Sequence, residues 1–214
     1  MSVTAESPAD HLVLYGVSWE TYTGVVIAFG ERRLRHSYDE GTLEMMSPLK
    51  YHEWVKKMIG RLIDVCTLEL DMQVQSIGST TLGSEKAQKG LEPDDCYYIS
   101  HEREVRGLSD YDPDRNPPPD LAIEVDATHK SLNRMEIYEA LGVPELWRAT
   151  KDGMVFYRLN RSGRYSKIPR SRELPLFTPA LIDEYLALRN TKSETAIIRQ
   201  FVAWVRSTQQ KKKK

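Results

Sequence analysis

The stretch Pro119-Asp120-Leu121-Ala122-Ile123-Glu124-Val125-Asp126 constrains this chain more than any other. Side chains alternate along a strand, so Leu121, Ile123 and Val125 share one face, and Asp120, Ala122, Glu124 and Asp126 share the other. Three carboxylates on one side of a core-like strand are costly unless something positive meets them. Residues two apart on one face lie about 7 Å from each other, which lets Glu124 and Asp126 reach toward one cation. Hard oxygen donors of this kind select magnesium or manganese over zinc. A strand end emerging into solvent would leave the same pattern. Glu92-Pro93-Asp94-Asp95-Cys96-Tyr97-Tyr98-Ile99 repeats the theme. There Glu92, Asp94, Cys96 and Tyr98 face one way, and an acid entering this strand is a candidate second ligand. Aspartate at a strand mouth is also a good turn residue.

The remaining elements follow from periodicity and punctuation. Ser18 to Phe29 reads as a helix, and Arg33 to Tyr38 and Thr42 to Met46 read as strands around the turn Asp39-Glu40-Gly41. Ser47-Pro48 is a good helix start. The helix after it carries Val55, Met58, Ile59, Leu62, Ile63 and Cys66 on one stripe and runs to about Leu70. Gln73 to Ile77 and Ser79 to Leu82 are short strand candidates, His101 to Leu108 a helix, and Tyr111 to Pro119 a loop. The Asp120 to Val125 strand leads into a helix from about Leu132 to Leu141, stopped by Gly142 and Pro144. Glu145 to Ala149 and Met154 to Leu159 pair around Lys151-Asp152-Gly153. Leu181 to Leu188 and Glu194 to Arg206 are amphipathic helices. This order predicts an α/β (α+β mixed) fold with a central mixed β-sheet flanked by helices. One domain spans 18–208, between a loose N-terminus (1–17) and a disordered lysine tail (209–214).

Charge narrows the function. Lys and Arg number 30 against 31 Asp and Glu, a net charge of −1. Four of those lysines are the run Lys211 to Lys214, so the body is more acidic still. The overall basic surplus of a nucleic-acid binder is missing, and any such surface must be a local patch. Arg158, Arg161, Arg164, Lys167, Arg170 and Arg172, interleaved with Tyr157 and Tyr165, are the candidate patch. Arginines on a solvated hairpin would look alike. Two cysteines, Cys66 and Cys96, make neither a disulfide framework nor a four-thiolate zinc site. Histidine and cysteine spacings do not match zinc motifs. No apolar run is long enough to span a bilayer, and Met1 to His11 do not form a signal peptide. A reducing cytoplasm without a membrane partner is the expected setting. Ile198, Phe201, Val202, Trp204 and Val205 make the last helix apolar on more than one face, which predicts a homodimer.

Arg134, Ile137, Tyr138 and Leu141 share one helical stripe. A guanidinium at the head of an apolar stripe wants a carboxylate, and Glu124 is the nearest in sequence. A snorkelling arginine is the alternative. Further segments stand in order along the chain: Gly41-Thr42-Leu43-Glu44-Met45-Met46-Ser47-Pro48, His52-Glu53, Glu92-Pro93-Asp94, Pro119 to Asp126, and Ile137 to Arg148. With these the chain resembles the Uma-type (Uma-two) endonucleases, a branch of the restriction-endonuclease-like PD-(D/E)XK superfamily, from about Trp19 to Arg206.

The resemblance implies a helix, a mixed sheet and a second helix around a metal-dependent phosphodiesterase site. Asp94 matches the metal-binding aspartate and Glu124 the acid of the (D/E)XK strand. Glu44 matches a family acid that can add a ligand, and His52 a family histidine able to shuttle a proton. The lysine expected two residues after Glu124 is absent, since that position is Asp126. In the family it commonly migrates to four residues before the tyrosine, which here pairs Arg134 with Tyr138. Arginine keeps its proton near neutral pH, so it cannot be a general base, though it can orient water or stabilise phosphate. The implied activity is a magnesium- or manganese-dependent endonuclease acting on nucleic acid, DNA first. The alternative is a catalytically degenerate nuclease fold that binds nucleic acid or another partner.

Overall fold

Val55, Met58, Ile59, Leu62, Ile63 and Cys66 are each at most 1% exposed, so the stripe read on the long helix is the spine of the main core. The computed structural model describes residues 11–30, 35–47, 50–108, 111–113, 115–126 and 132–212. Its elements in chain order are β1 (His11–Leu14), α1 (Trp19–Phe29), β2 (Arg35–Asp39), β3 (Thr42–Met46), α2 (Lys50–Glu69), β4 (Gln75–Ser76), β5 (Leu82–Ser84), β6 (Lys89–Leu91), β7 (Asp95–Tyr98), α3 (Glu102–Val105), β8 (Leu121–Val125), α4 (Arg134–Ala140), β9 (Glu145–Thr150), β10 (Gly153–Leu159), β11 (Tyr165–Ile168), α5 (Pro179–Ala187) and α6 (Glu194–Lys212).

The strands divide into two sheets. One has the order β1-β3-β2-β6-β5 and is antiparallel; the other has the order β11-β10-β9-β8-β7-β4. Only β8 and β9 run parallel among these pairs, because the chain crosses between them through α4, as a parallel connection requires. The class expected from sequence, mixed α/β with helices against sheet, holds. The alternation read on β8 holds too. Leu121, Ile123 and Val125 join the core under α2, α5 and α6, whereas Ala122 joins a second core with Ile137 and Tyr138 of α4. A third cluster seats α1 on the first sheet through Tyr22, Tyr38, Leu43 and Met45. Ser18 caps α1, accepting the Thr21 N–H at 3.1 Å, and Thr178 caps α5 in the same way.

Several expectations change. The N-terminus is not loose throughout, because His11–Leu14 pairs with β3 as an edge strand. The lysine tail is not wholly irregular, since α6 continues to Lys212. The helix expected over His101 to Leu108 is the single turn α3. The helix-start role of Pro48 lies outside the described residues. The apolar residues of the last helix are engaged within the chain: Phe201 and Val205 are fully buried in the main core, and Trp204 stacks on Phe201. That excess of apolar surface, the reason to expect a homodimer, therefore has an internal explanation.

Candidate active site

Register brings the two key acids together. Asp95 pairs with Ile123 across the antiparallel β7–β8 ladder, so Asp94, one residue earlier, meets Glu124 on the same face. The Asp94 Oδ2 atom accepts the Val125 N–H at 2.7 Å, which locks the carboxylate at the end of β8. Its neighbour Asp95 faces α2 instead, accepting the Tyr97 hydroxyl at 2.6 Å, and burial pushes its pKa up. Only one acid of the Asp94-Asp95 pair therefore belongs to the site.

Glu124 is 2% exposed. Its Oε1 atom accepts the Tyr138 hydroxyl at 2.5 Å and also Arg134 Nη2. Burial, with Glu124 alongside, holds the Tyr138 phenol well above its usual range, so it remains a donor. Arg134 sits at the head of α4, as its stripe predicted, and reaches well beyond Glu124. Nη1 donates to Ser37 Oγ at 2.5 Å, and Nη2 also donates to the Glu92 carbonyl at 2.7 Å. Burial works against its charge, but Glu124, Tyr138 and Asp94 more than offset that, leaving its pKa above the ordinary arginine value. Its Nε is the only buried side-chain nitrogen without a hydrogen-bond partner among the described residues.

A second guanidinium was not foreseen. Arg35 Nη1 donates to Glu92 Oε1 at 2.8 Å and to the Pro93 carbonyl at 2.7 Å, and its Nε lies 3.5 Å from Asp94 Oδ1. The signal was available in principle. Alternation on β2 and β3 puts Arg35, Ser37, Glu44 and Met46 on one face, opposite Tyr38 and Leu43. Arg35, Met46, His52, Asp94, Glu124, Val125 and Arg134 line one cavity of about 10 Å³, roughly the volume of one water-sized sphere.

The sequence candidates thus divide. Asp94, Glu124, Arg134 and His52 share the cavity. Glu44 does not line it, and pairs with His11 Nε2 at 2.7 Å. Asp126, expected to reach toward the same cation as Glu124, is instead held by the Nε and Nη2 atoms of Arg148. Asp120 accepts the Ile99 and His101 N–H groups and the His101 ring, which fixes the loop after β7. Each carboxylate on the β8 face has met a partner within the protein, an arginine for Glu124 and Asp126 and backbone N–H groups with the His101 ring for Asp120. No cluster of three or more His, Cys, Asp or Glu residues suited to a metal occurs among the described residues.

The basic patch lies elsewhere. Arg158 registers with Glu145, and through it with Leu121 at the start of β8, while Glu124 registers with Arg148. Arg158 is engaged by Glu173 at 2.6 Å, and Arg164 lies 3.1 Å from Glu139. Arg161 and Lys167 are exposed. No helix among the described residues is long and apolar enough to cross a membrane.

Comparison with known proteins gives the family and the fold. Residues 19–189 match the sequence model of the Uma2 family, described as "Putative restriction endonuclease". The fold is similar to the crystal structure of "a putative nuclease belonging to DUF820 from Anabaena variabilis ATCC 29413", with a TM-score of 0.51 and 12% identity. That match covers 84% of this chain and 96% of the other. No curated protein matches the chain.

Proposed function

The chain belongs to the Uma2 family, and on that premise we propose that it hydrolyses phosphodiester bonds of nucleic acid, DNA first, at the cavity between Asp94 and Glu124. The observation that carries this reading is the convergence of Asp94, Glu124, His52 and Arg134, from four separate segments of the chain, on one buried point. The family resemblance implies a magnesium or manganese ion. Two hard carboxylates around a space of about 10 Å³ suit such an ion in donor type and size. Asp94 and Glu124 would hold it, and when bound it would polarise a phosphoryl oxygen and lower the pKa of a water.

The chain's own groups supply the rest. Arg134 cannot accept a proton, but its unpartnered Nε–H is a donor available to an oxygen that gains charge. Tyr138, fully buried, fixes the Glu124 carboxylate by donating its hydroxyl to Oε1. His52, buried on α2 at the same cavity, is the group able to move a proton. Pairing of two copies would put two such sites on one duplex. Light scattering giving a 24.6 kDa particle at micromolar concentration would reduce the proposal to one cut per encounter.

A second reading has its own support. Arg134 and Arg35 already neutralise Glu124 and Asp94, so an ion would compete with guanidinium for them. In that case the protein binds nucleic acid without cutting it, through exposed cations such as Arg161, Arg164 and Lys167. Supercoiled plasmid and single-stranded DNA incubated with magnesium or manganese decide between the two. Cleavage that Asp94→Ala and Glu124→Gln both abolish, with manganese binding lost by titration calorimetry in Asp94→Ala, supports the enzyme. Salt-sensitive binding with no cleavage under any metal supports the second reading and refutes the first.

A further inference from the structure

Val125 lines the Asp94–Glu124 cavity and also the edge of a separate groove of about 430 Å³, a volume in the range of small-ligand sites. The groove runs between the start of α2, the ends of β8 and β9, and the turn Leu188–Asn190 that follows α5. Its wall is aromatic: Tyr51 and Trp54 project from the first turns of α2, and the Arg189 guanidinium lies 5.0 Å and 4.8 Å from their ring centroids. Trp54 is oriented by its indole N–H, which donates to Glu194 at 3.1 Å. Arg189 and Lys151, the two cations on the groove, form no ion pair with any carboxylate among the described residues. Most buried or half-buried arginines around the acid cavity do have such partners. Two carboxylates also line the groove, Asp126, which Arg148 holds, and Asp183, which accepts the Met154 N–H at 2.9 Å, while Thr150 and Asn190 add polar edges.

Planar stacking surface, unpaired positive charge and polar edges in one groove are what a nucleotide recognises. Aromatic rings and guanidinium planes stack on bases of any sequence, provided the base has left its own stack. The unpaired cations suit the phosphate that accompanies the base. A groove of this volume takes one nucleotide rather than a duplex. We infer that the Tyr51–Trp54–Arg189 groove holds a single unstacked nucleotide of the strand whose neighbouring phosphate lies at the Asp94–Glu124 cavity. The inference deepens the nuclease reading and rests on it for the phosphate's place, though nucleotide capture itself needs no cleavage.

The test separates the two. A short fluorescein-labelled oligothymidylate, as DNA and as RNA, is titrated into the full chain in EDTA and followed by anisotropy. Arg189→Ala and Tyr51→Ala each weaken binding roughly 5- to 100-fold, the range of one base–aromatic stack. Their far-ultraviolet circular dichroism stays that of wild type, because both side chains are at least 40% exposed or surface-lying. An oligonucleotide with abasic sugars loses affinity for the wild type but not further for Tyr51→Ala or Arg189→Ala, whereas Lys151→Ala still senses the missing bases. Equal loss on abasic sugar in wild type and Tyr51→Ala overturns the inference, as does wild-type affinity in Arg189→Ala. Cleavage assays with magnesium judge the catalytic reading independently: binding with these signatures but no cleavage keeps the groove and removes the chemistry.

Discussion

Replacing Arg134 by alanine tests the centre of the argument. The side chain is 8% exposed, and Glu124 opposite it is 2% exposed. Removing the guanidinium takes from a buried carboxylate the cation that Arg134 supplies, and also leaves Ser37 Oγ and the Glu92 carbonyl without that donor. Breaking a buried pair from one side costs about 3–5 kcal/mol. At roughly 2–4 °C per kcal/mol for a chain of this size, Tm falls by about 6–20 °C. Urea unfolding at pH 7 and calorimetry both read the loss. The decisive control is Glu124→Gln in the Arg134→Ala background. If the cost is the stranded charge, neutralising it restores about 1–2 kcal/mol, a coupling expected of residues in contact. Arg134→Lys keeps the charge but cannot hold all three partners, and loses about 1–3 kcal/mol. An Arg134→Ala variant within about 1 kcal/mol of wild type, or a double variant no more stable than the single one, refutes the buried-pair account.

Two further outcomes follow from the fold. Burial first, then the charges of Arg134 and Arg35, lower the His36 pKa to about 4, so the folded chain keeps this ring neutral while the unfolded chain protonates it near 6.5. Stability should therefore fall as pH drops from about 6.5 to 4, by at most about 3 kcal/mol. The ring's neighbours are the Tyr22 hydroxyl, the Thr81 hydroxyl and Glu92. His36→Gln should flatten that slope in urea titrations at several pH values, and an unchanged slope would remove His36 as its source. Gly90→Ala adds a Cβ 2.5 Å from the Tyr22 hydroxyl and 2.9 Å from its ring. Tyr22 is 1% exposed and stacked at 4.7 Å on Tyr38, so it cannot swing away, and the overpacking should cost about 1–3 kcal/mol. A Tm equal to wild type would show that the α1 face yields more easily than its packing implies.

Legibility in the sequence tracked how local each cause was. The α2 stripe, the β8 alternation and the Gly142–Pro144 stop act within a few residues, and the structure follows them. β6 and β11 escaped notice because Lys89-Gly90-Leu91 and Tyr165-Ser166-Lys167-Ile168 have neither length nor clean alternation. They are strands because Asp39 and Phe156 lie beside them to pair with. β1 escaped for a similar reason: four residues at an edge are defined by Met46 to Leu43 across the ladder. In the site, Asp94, Glu124 and Arg134 could be named, since Asp94 and Arg134 stand at the heads of patterned elements and Glu124 on the acid face of the β8 alternation. For Arg35, alternation gives the face it shares with Ser37 and Glu44 but not its role in the site. Its meaning depends on Glu92 and Asp94, which only the fold brings near. The same limit misassigned Asp126, whose partner Arg148 comes from the neighbouring parallel strand.

An arginine where the family resemblance implies a lysine changes what the position can do. Ser37 lies on β2 of one sheet and Glu124 on β8 of the other, so a single side chain ties the sheets together. The planar fork of a guanidinium meets two or three fixed acceptors at once, where an ammonium concentrates its charge at one point. That tie also carries a permanent positive charge to the spot where the family resemblance puts a proton-active amine. Glu124, Asp126 and Asp94 each have an arginine beside them, Arg134, Arg148 and Arg35 respectively. The negative potential that would draw in a cation is therefore largely compensated before any ligand arrives. Hydrolysis at this cavity, as proposed, would require Glu124 to trade part of its bond to Arg134 for another partner. The released donors, with the idle Nε–H, would then face the phosphate. On the proposed reading, stability and hydrolysis would depend on one group in opposite senses: whatever strengthens the Arg134–Glu124 bond firms the joint between the sheets and closes the site.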